Sequence, residues 1–127
     1  ALARELGVGD RVHLLGQRTD VAEIYKAADI FCFPSIREGL PVSTMEAMAA
    51  GLPLVAAINR GTVELVANGD NGLLCTHEDV RRFAENISRL QKDPQLRQQM
   101  GQRSAEKAKA YDVQNIVAQM KQIYTAL

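Results

Sequence analysis

The sequence has few cysteines, no surplus of either charge and no long apolar run, and each shortage closes off a class of protein. Only Cys32 and Cys75 are present. Two thiols build neither a disulfide framework nor a thiolate metal cluster. Both lie in apolar runs and read as small core hydrophobes of a chain kept in a reducing compartment. Lysine plus arginine and aspartate plus glutamate each number 15, so the formal net charge is zero. No net positive field favours nucleic acid as a partner. No apolar run approaches the roughly 18–20 residues of a membrane span, and no signal peptide is expected before the fold. Repeats, linkers and low-complexity segments are lacking as well.

What is present is an ordinary globular composition. The 127 residues are 46% hydrophobic and 24% charged, which excludes the low-hydrophobicity signature of disorder. A chain this long hides roughly two-thirds of its unfolded surface. Four short β-type runs are expected: Val12 to Leu15, Ile30 to Phe33, Leu54 to Ala57 and Leu73 to Cys75. Ile30-Phe31-Cys32-Phe33 is continuously apolar and fits a strand covered on both faces, as in parallel sheets. Helices are expected between them. The first ends at Gly7 and Gly9; Asp20 with Glu23 forms a capping box for one reaching Ala28. Pro41 opens a helix that Gly51 stops, and Thr62 caps a short one. Alternating strand and helix predicts an α/β domain of βαβ units with a parallel sheet.

After Cys75 the pattern becomes helical. Thr76 with Asp79 resembles a second capping box, and Val80, Phe83, Ala84, Ile87 and Leu90 form one apolar face. Asp93-Pro94 breaks the chain before a helix carrying Leu96, Met100 and Ala108. Asp112 starts a last helix with Val113, Ile116, Val117, Met120, Ile123 and Leu127 on one side.

Chemistry concentrates between Pro34 and Pro53, at the carboxyl end of a strand, where open α/β sheets bind ligands. Gly39 allows close backbone approach. The amides of the helix that follows, Pro41 excepted, point into the crevice and suit a phosphate; an ordinary βα loop is the alternative. Glu46 lies in a helix otherwise made of Val42, Met45, Ala47, Met48, Ala49 and Ala50, so its carboxylate needs a partner. That partner is an amide, an arginine or a ligand hydroxyl pair such as a ribose. Glu38 is placed either to stabilise developing positive charge in the same crevice or to pair with Arg37 in solvent. Arg60 to Glu64 follows the next strand and could line the cleft. His13 and His77 have no visible nucleophile or acid partner.

The spacing Glu38-x7-Glu46 within Arg37-Glu-Gly-Leu-Pro-Val-Ser-Thr-Met-Glu-Ala-Met-Ala-Ala-Gly-Leu-Pro53 resembles the signature of retaining glycosyltransferases of family 4. Val12 to Gly16, Ala28-Asp29-Ile30, Glu64-Leu65-Val66 and Asn71-Gly72-Leu73-Leu74 stand where that family has equivalents. The likeness is greatest to bacterial members that build exopolysaccharide, capsule or lipopolysaccharide. It implies a GT-B architecture, with this chain the latter part of a Rossmann-like, nucleotide-sugar-binding C-terminal domain. By position, Glu46 would bind the ribose hydroxyls and Glu38 would lie beside the reacting carbon as the catalytic carboxylate. The amides around Gly39, Leu40 and Val42 would hold sugar hydroxyls and the distal phosphate. The main chain from Gly16 to Gln17 and Arg18 would meet the base. The transition state would be oxocarbenium-like, and the anomeric configuration retained. No cofactor beyond the donor substrate is implied and no metal is expected, since there is no Asp-x-Asp pair or His/Cys cluster.

The resemblance also implies missing parts. An N-terminal acceptor domain and the first two βα units of the donor domain have no counterpart here, nor has the basic pair that would meet the diphosphate. Ala1 opens inside a helical pattern, as if a larger enzyme continued upstream. In the strand order 3-2-1-4-5-6 the absent strands would lie between Val12 and Ile30. The Val12 run then either moves beside the Ile30 strand or stands apart from a three-stranded sheet. The acceptor, a glycan or a lipid-linked sugar, would be met by the missing domain of a cytoplasmic enzyme, as would any peripheral contact with the inner face of a membrane. A non-catalytic nucleotide or sugar-phosphate module and a GT-B sugar-nucleotide epimerase are the competing functions.

Overall fold

The computed structural model describes residues 2–126. Three parallel strands, β1 (Phe31–Phe33), β2 (Leu54–Ala57) and β3 (Gly72–Cys75), form one sheet in the order β1-β2-β3. Phe31 pairs with Leu54, and Leu54 with Gly72, so the three strands advance in step. Helix α3 (Val42–Ala49) connects β1 to β2, and α4 (Thr62–Leu65) connects β2 to β3. Helices α1 (Leu2–Glu5) and α2 (Val21–Ala27) precede the sheet; α5 (Val80–Lys92), α6 (Pro94–Ala108) and α7 (Val113–Thr125) follow it.

All four residues of β2 are buried, and they alternate between two cores. Leu54 and Ala56 face Ala47 and Met48 of α3 and Leu65 of α4. Val55 and Ala57 face Leu73 and Cys75, with Phe83 and Leu90 of α5 and Met100 of α6. A strand enclosed in this way needs an apolar side chain at every position, which accounts for its unbroken hydrophobic sequence.

The end of α3 is fixed by backbone. The Gly51 amide donates to the Met48 carbonyl at 2.9 Å and the Leu52 amide to that of Ala47 at 3.1 Å. This double closure needs a left-handed residue, and Gly51 supplies it at φ 78°. Helix α6 then crosses this turn so closely that a Cβ on Gly101 would overlap the Gly51 carbonyl oxygen. Glycine inside a helix costs about 1 kcal/mol against alanine; here it permits the contact. Asn71 supports the same region from beneath. Its side chain, fully buried, accepts from the Ala67 amide at 2.8 Å and donates to the Leu65 carbonyl at 3.0 Å, and Ser104 of α6 donates to its carbonyl at 3.2 Å.

Several expectations are corrected. Val12 to Leu15 is not a strand: it is exposed throughout, Leu14 by 93%, and pairs with no described residue. An isolated extended run has no ladder to satisfy its amides except water. The three-stranded alternative therefore holds. For the same reason β1 is an edge strand covered on one face only; Phe31 and Phe33 are half-buried while Cys32 is exposed, above an apolar groove with Pro34, His77, Val80, Phe83 and Ile87. Cys75 is the core cysteine.

Neither capping box forms. Asp20 gives both carboxylate oxygens to Arg18, at 2.7 and 2.5 Å, in place of the helix amides. Asp79 caps α5 through the Arg82 amide at 2.9 Å, and Thr76 contributes only its carbonyl, to the Asp79 amide. Pro41 stands one place earlier than expected, as the N-cap of α3. Thr62 is the first residue of α4, and the capping oxygen is that of Asn59, which accepts from the Gly61 and Thr62 amides. Of the apolar face of α5, Val80 and Ala84 are exposed. That of α7 is exposed at Val113, Ile116, Val117, Met120 and Ile123; Leu127 and Ala1 lie outside the described residues.

Thr44 of α3 is fully buried, and its hydroxyl has no hydrogen-bond partner among the described residues. A buried unpaired hydroxyl is a net cost, whereas an apolar group of the same shape is not. Thr44→Val is expected to raise the unfolding free energy by about 1 kcal/mol, read as a higher denaturant midpoint at unchanged slope.

Candidate active site

The carboxyl ends of β1 and β2 carry the polar groups. The β1 exit runs from Pro34 to Pro41 and ends at the N-terminus of α3. Pro41 has no side-chain oxygen to cap the helix and makes no cap bond. Its carbonyl accepts the first intrahelical bond, from Met45 at 3.3 Å. The amides of Val42, Ser43 and Thr44 therefore have no acceptor within the helix, and the positive end of its dipole is uncapped. Leu40 and Val42 are exposed beside it.

Glu38 and Glu46 lie before and within this helix and make different contacts. Glu38 is half-buried and accepts from the Ser35 hydroxyl at 2.6 Å. No ion pair joins it to Arg37 among the described residues, so the solvent-paired alternative is set aside. Glu46 is exposed, contrary to the expected burial in an apolar helix. Eight residues of α3 bury only the side towards β2 and α6, and Glu46 lies off it. Its partner is neither an amide nor an arginine: the Tyr25 hydroxyl of α2 stands 3.2 Å from Glu46 Oε2 and 3.3 Å from the Ser43 carbonyl.

Tyr25 joins a second loop to the site. It borders a small hollow with Val21, Ala22 and Glu46, one turn beyond the segment Gly16 to Asp20. Gly16 turns that segment at φ 66°. Gln17 and Arg18 line a shallow exposed depression with Leu15, Thr19 and Asp20. The Arg18 guanidinium holds the Asp20 carboxyl below the usual carboxylate range, and Asp20 raises that of Arg18 in return. The arginine side chain is thereby tied to its own loop, although it stays 42% exposed.

The residue that sequence reasoning undervalued is Gly61. Gly39 has open space where a side chain would stand, so close approach is not what its own position requires. The tight contact is made from the other side. A Cβ on Gly61 would overlap the Gly39 carbonyl and come within 3.0 Å of the Glu38 Cβ. A glycine after the second strand, in Arg60-Gly61-Thr62, was the available signal. Glu64 of that segment is exposed, and the Tyr111 hydroxyl donates to its carbonyl at 3.2 Å. His13 and His77 are exposed and outside this constellation. Among the described residues no group of three or more His, Cys, Asp or Glu converges as a metal site would.

Burial, followed by the charge of Glu46 and the hydrogen bond to it, raises the Tyr25 hydroxyl above its ordinary value of about 10. The folded chain thus keeps this proton to higher pH than the unfolded chain. The associated stability is complete below about pH 10 and is lost as pH rises through the folded value. Tyr25→Phe is expected to remove one late step from a phenolate-absorbance titration and to flatten the alkaline decline of unfolding free energy.

The chain is similar to known proteins over most of its length. The family model described as glycosyl transferases group 1 matches residues 1–107. An N,N'-diacetylbacillosaminyl-diphospho-undecaprenol alpha-1,3-N-acetylgalactosaminyltransferase of Campylobacter jejuni is 40% identical over 108 residues, covering 85% of this chain and 28% of its own. A D-inositol 3-phosphate glycosyltransferase of Corynebacterium efficiens is 36% identical over 126 residues, 98% of this chain and 30% of its own. The crystal structure of Anabaena Alr3699/HepE in complex with UDP superposes with a TM-score of 0.93 at 31% identity, over 98% of this chain and 35% of that one. The chain therefore spans about a third of the length of the proteins it matches. With the parallel sheet and the Glu38-x7-Glu46 segment in place, it belongs to the group 1 glycosyl transferases.

Proposed function

We propose that these residues form the latter part of the donor-binding domain of a glycosyltransferase that moves a sugar from a nucleoside-diphosphate sugar to an acceptor hydroxyl, with retention at the anomeric carbon. The observation that carries the proposal is the uncapped N-terminus of α3, its free amides flanked by Glu38 and Glu46. Such an end attracts the diphosphate, and preorganised donors are what a departing diphosphate requires. The Anabaena neighbour was crystallised with UDP and with UDP-glucose, which supports the choice of a nucleotide sugar.

In this reading the Glu46 carboxylate accepts from the two ribose hydroxyls, and Tyr25 sets its orientation. The amides around Gly39, Leu40 and Val42 receive the sugar hydroxyls and distal phosphate, and the main chain from Gly16 through Gln17 and Arg18 meets the base. Glu38 stands beside the anomeric carbon. As the bond from that carbon to the diphosphate oxygen breaks, positive charge grows on the ring, and the Glu38 carboxylate stabilises it. The acceptor oxygen bonds to the same face, and its proton passes to the leaving phosphate. The N-terminal acceptor domain and two further βα units belong to the rest of the protein. The product is a cell-surface or related glycan made at the cytoplasmic side, and the acceptor domain supplies any contact with a membrane.

In the complete enzyme, Glu46→Ala is expected to weaken binding of the free nucleoside diphosphate by on the order of a hundredfold, the loss of two hydrogen bonds to a charged acceptor. Calorimetric titration measures it, and unchanged affinity overturns the ribose assignment. Glu38→Ala is expected to lower kcat by about a hundredfold with donor KM little changed. The 127-residue chain alone is expected to transfer no sugar, and turnover of any nucleotide sugar by the purified chain would refute that.

A further inference from the structure

Three contacts converge on the loop that carries Glu38, and they come from residues with no task in the reaction so far. Asn59 stands just beyond β2. Its side-chain amide donates to the Ser35 carbonyl at 2.8 Å, tying the exit of β2 to the exit of β1. Its oxygen accepts from the Gly61 and Thr62 amides, both at 3.0 Å. Gly61, held in this way, rests against the Gly39 carbonyl. Ser35, held from the other end, donates its hydroxyl to Glu38 Oε1 at 2.6 Å. That hydroxyl has one proton and two acceptors in range, the second being the Arg37 carbonyl at 3.4 Å. The shorter bond to the carboxylate is the stronger.

We propose that Ser35 and Asn59 are positioning residues for Glu38. Asn59 locks the Ser35 main chain and, through Gly61, the floor of the Gly39 turn. Ser35 engages one carboxylate oxygen and leaves Oε2 for the donor sugar. Glutamate has three side-chain torsions, and an unrestrained carboxylate loses the alignment on which its effect depends. The proposal rests on the assignment of Glu38 to the donor sugar, and its test separates the two.

The test uses the complete enzyme and a panel of UDP-, GDP-, ADP- and TDP-sugars, following release of the nucleoside diphosphate from the sugar used best. Glu38→Gln, Ser35→Ala, Ser35→Thr and Asn59→Ala are compared, with the double variant of Glu38→Gln and Ser35→Ala. Expected are a kcat about tenfold lower for Ser35→Ala and Asn59→Ala, the equivalent of one hydrogen bond to a charged group. Donor KM and nucleotide affinity should stay within about twofold for Ser35→Ala, whereas Asn59→Ala, which also frees the Gly39 turn, should raise donor KM as well. Ser35→Thr, which keeps the hydroxyl, should restore most of the rate, and the double variant should be no slower than Glu38→Gln. A slow Glu38→Gln beside a full-rate Ser35→Ala overturns the positioning role alone, as does an additive double variant or a Ser35→Thr as slow as the alanine. A full-rate Glu38→Gln, or no turnover of any panel member by the parent enzyme, overturns the assignment of Glu38 and this proposal with it.

Discussion

Burial of β2 on both faces is the constraint from which the rest of the structure follows. Leu54 to Ala57 have no polar side chain to offer water, so helices must cover the sheet above and below. A parallel sheet then needs a crossover between each pair of strands, and here α3 and α4 supply the two. Every strand thereby leaves the sheet at the same edge. Backbone groups that the ladder no longer pairs collect there, together with the first turn of each following helix. The polar chemistry of the chain is gathered at one edge because the hydrophobic strand leaves it nowhere else to go.

Packing fixes the direction in which that edge points. The turn at Gly51 ends α3, and Gly101 lets α6 lie directly on the turn. The axis of α3 is thus set from its far end by a backbone contact that no flexible side chain can relax. At the near end the same device recurs: Gly61 lies against Gly39. Two close glycine contacts, one at each end, hold a helix of only eight residues. Its N-terminus can stay uncapped because packing, and not a capping side chain, keeps it in place.

Much of the fold was legible and the reasons are local. β2 and β3 announce themselves by continuous apolar runs between turn residues, and α3 by a proline before it and a glycine after it. The Glu38-x7-Glu46 segment drew attention because Glu46 stands in an apolar helical run and Glu38 at the carboxyl end of a strand. The failures all concern partners that sequence does not reveal. Val12 to Leu15 has the composition of a strand, yet strands exist only where a second strand accepts their bonds. Asp20 and Thr76 each begin a capping pattern, but a neighbouring arginine captured the Asp20 carboxylate, and Asp79, the later member of the second pattern, accepted from the Arg82 amide instead. Composition fixes what a side chain can do; which of several available partners it meets depends on geometry.

The two carboxylates illustrate the same division at the site. Glu46 was expected within an apolar helix and Glu38 in the loop before it, and the structure gives the two different partners. Glu46 is reached from α2, by a tyrosine that also touches the Ser43 carbonyl. Glu38 is reached from its own loop and, through Asn59, from the end of β2. A displacement of α2 would therefore disturb Glu46 first, and a displacement of α4 would disturb Glu38 first. Binding and turnover assigned to separate carboxylates are then also supported by separate elements of the fold, so a change in one can leave the other intact.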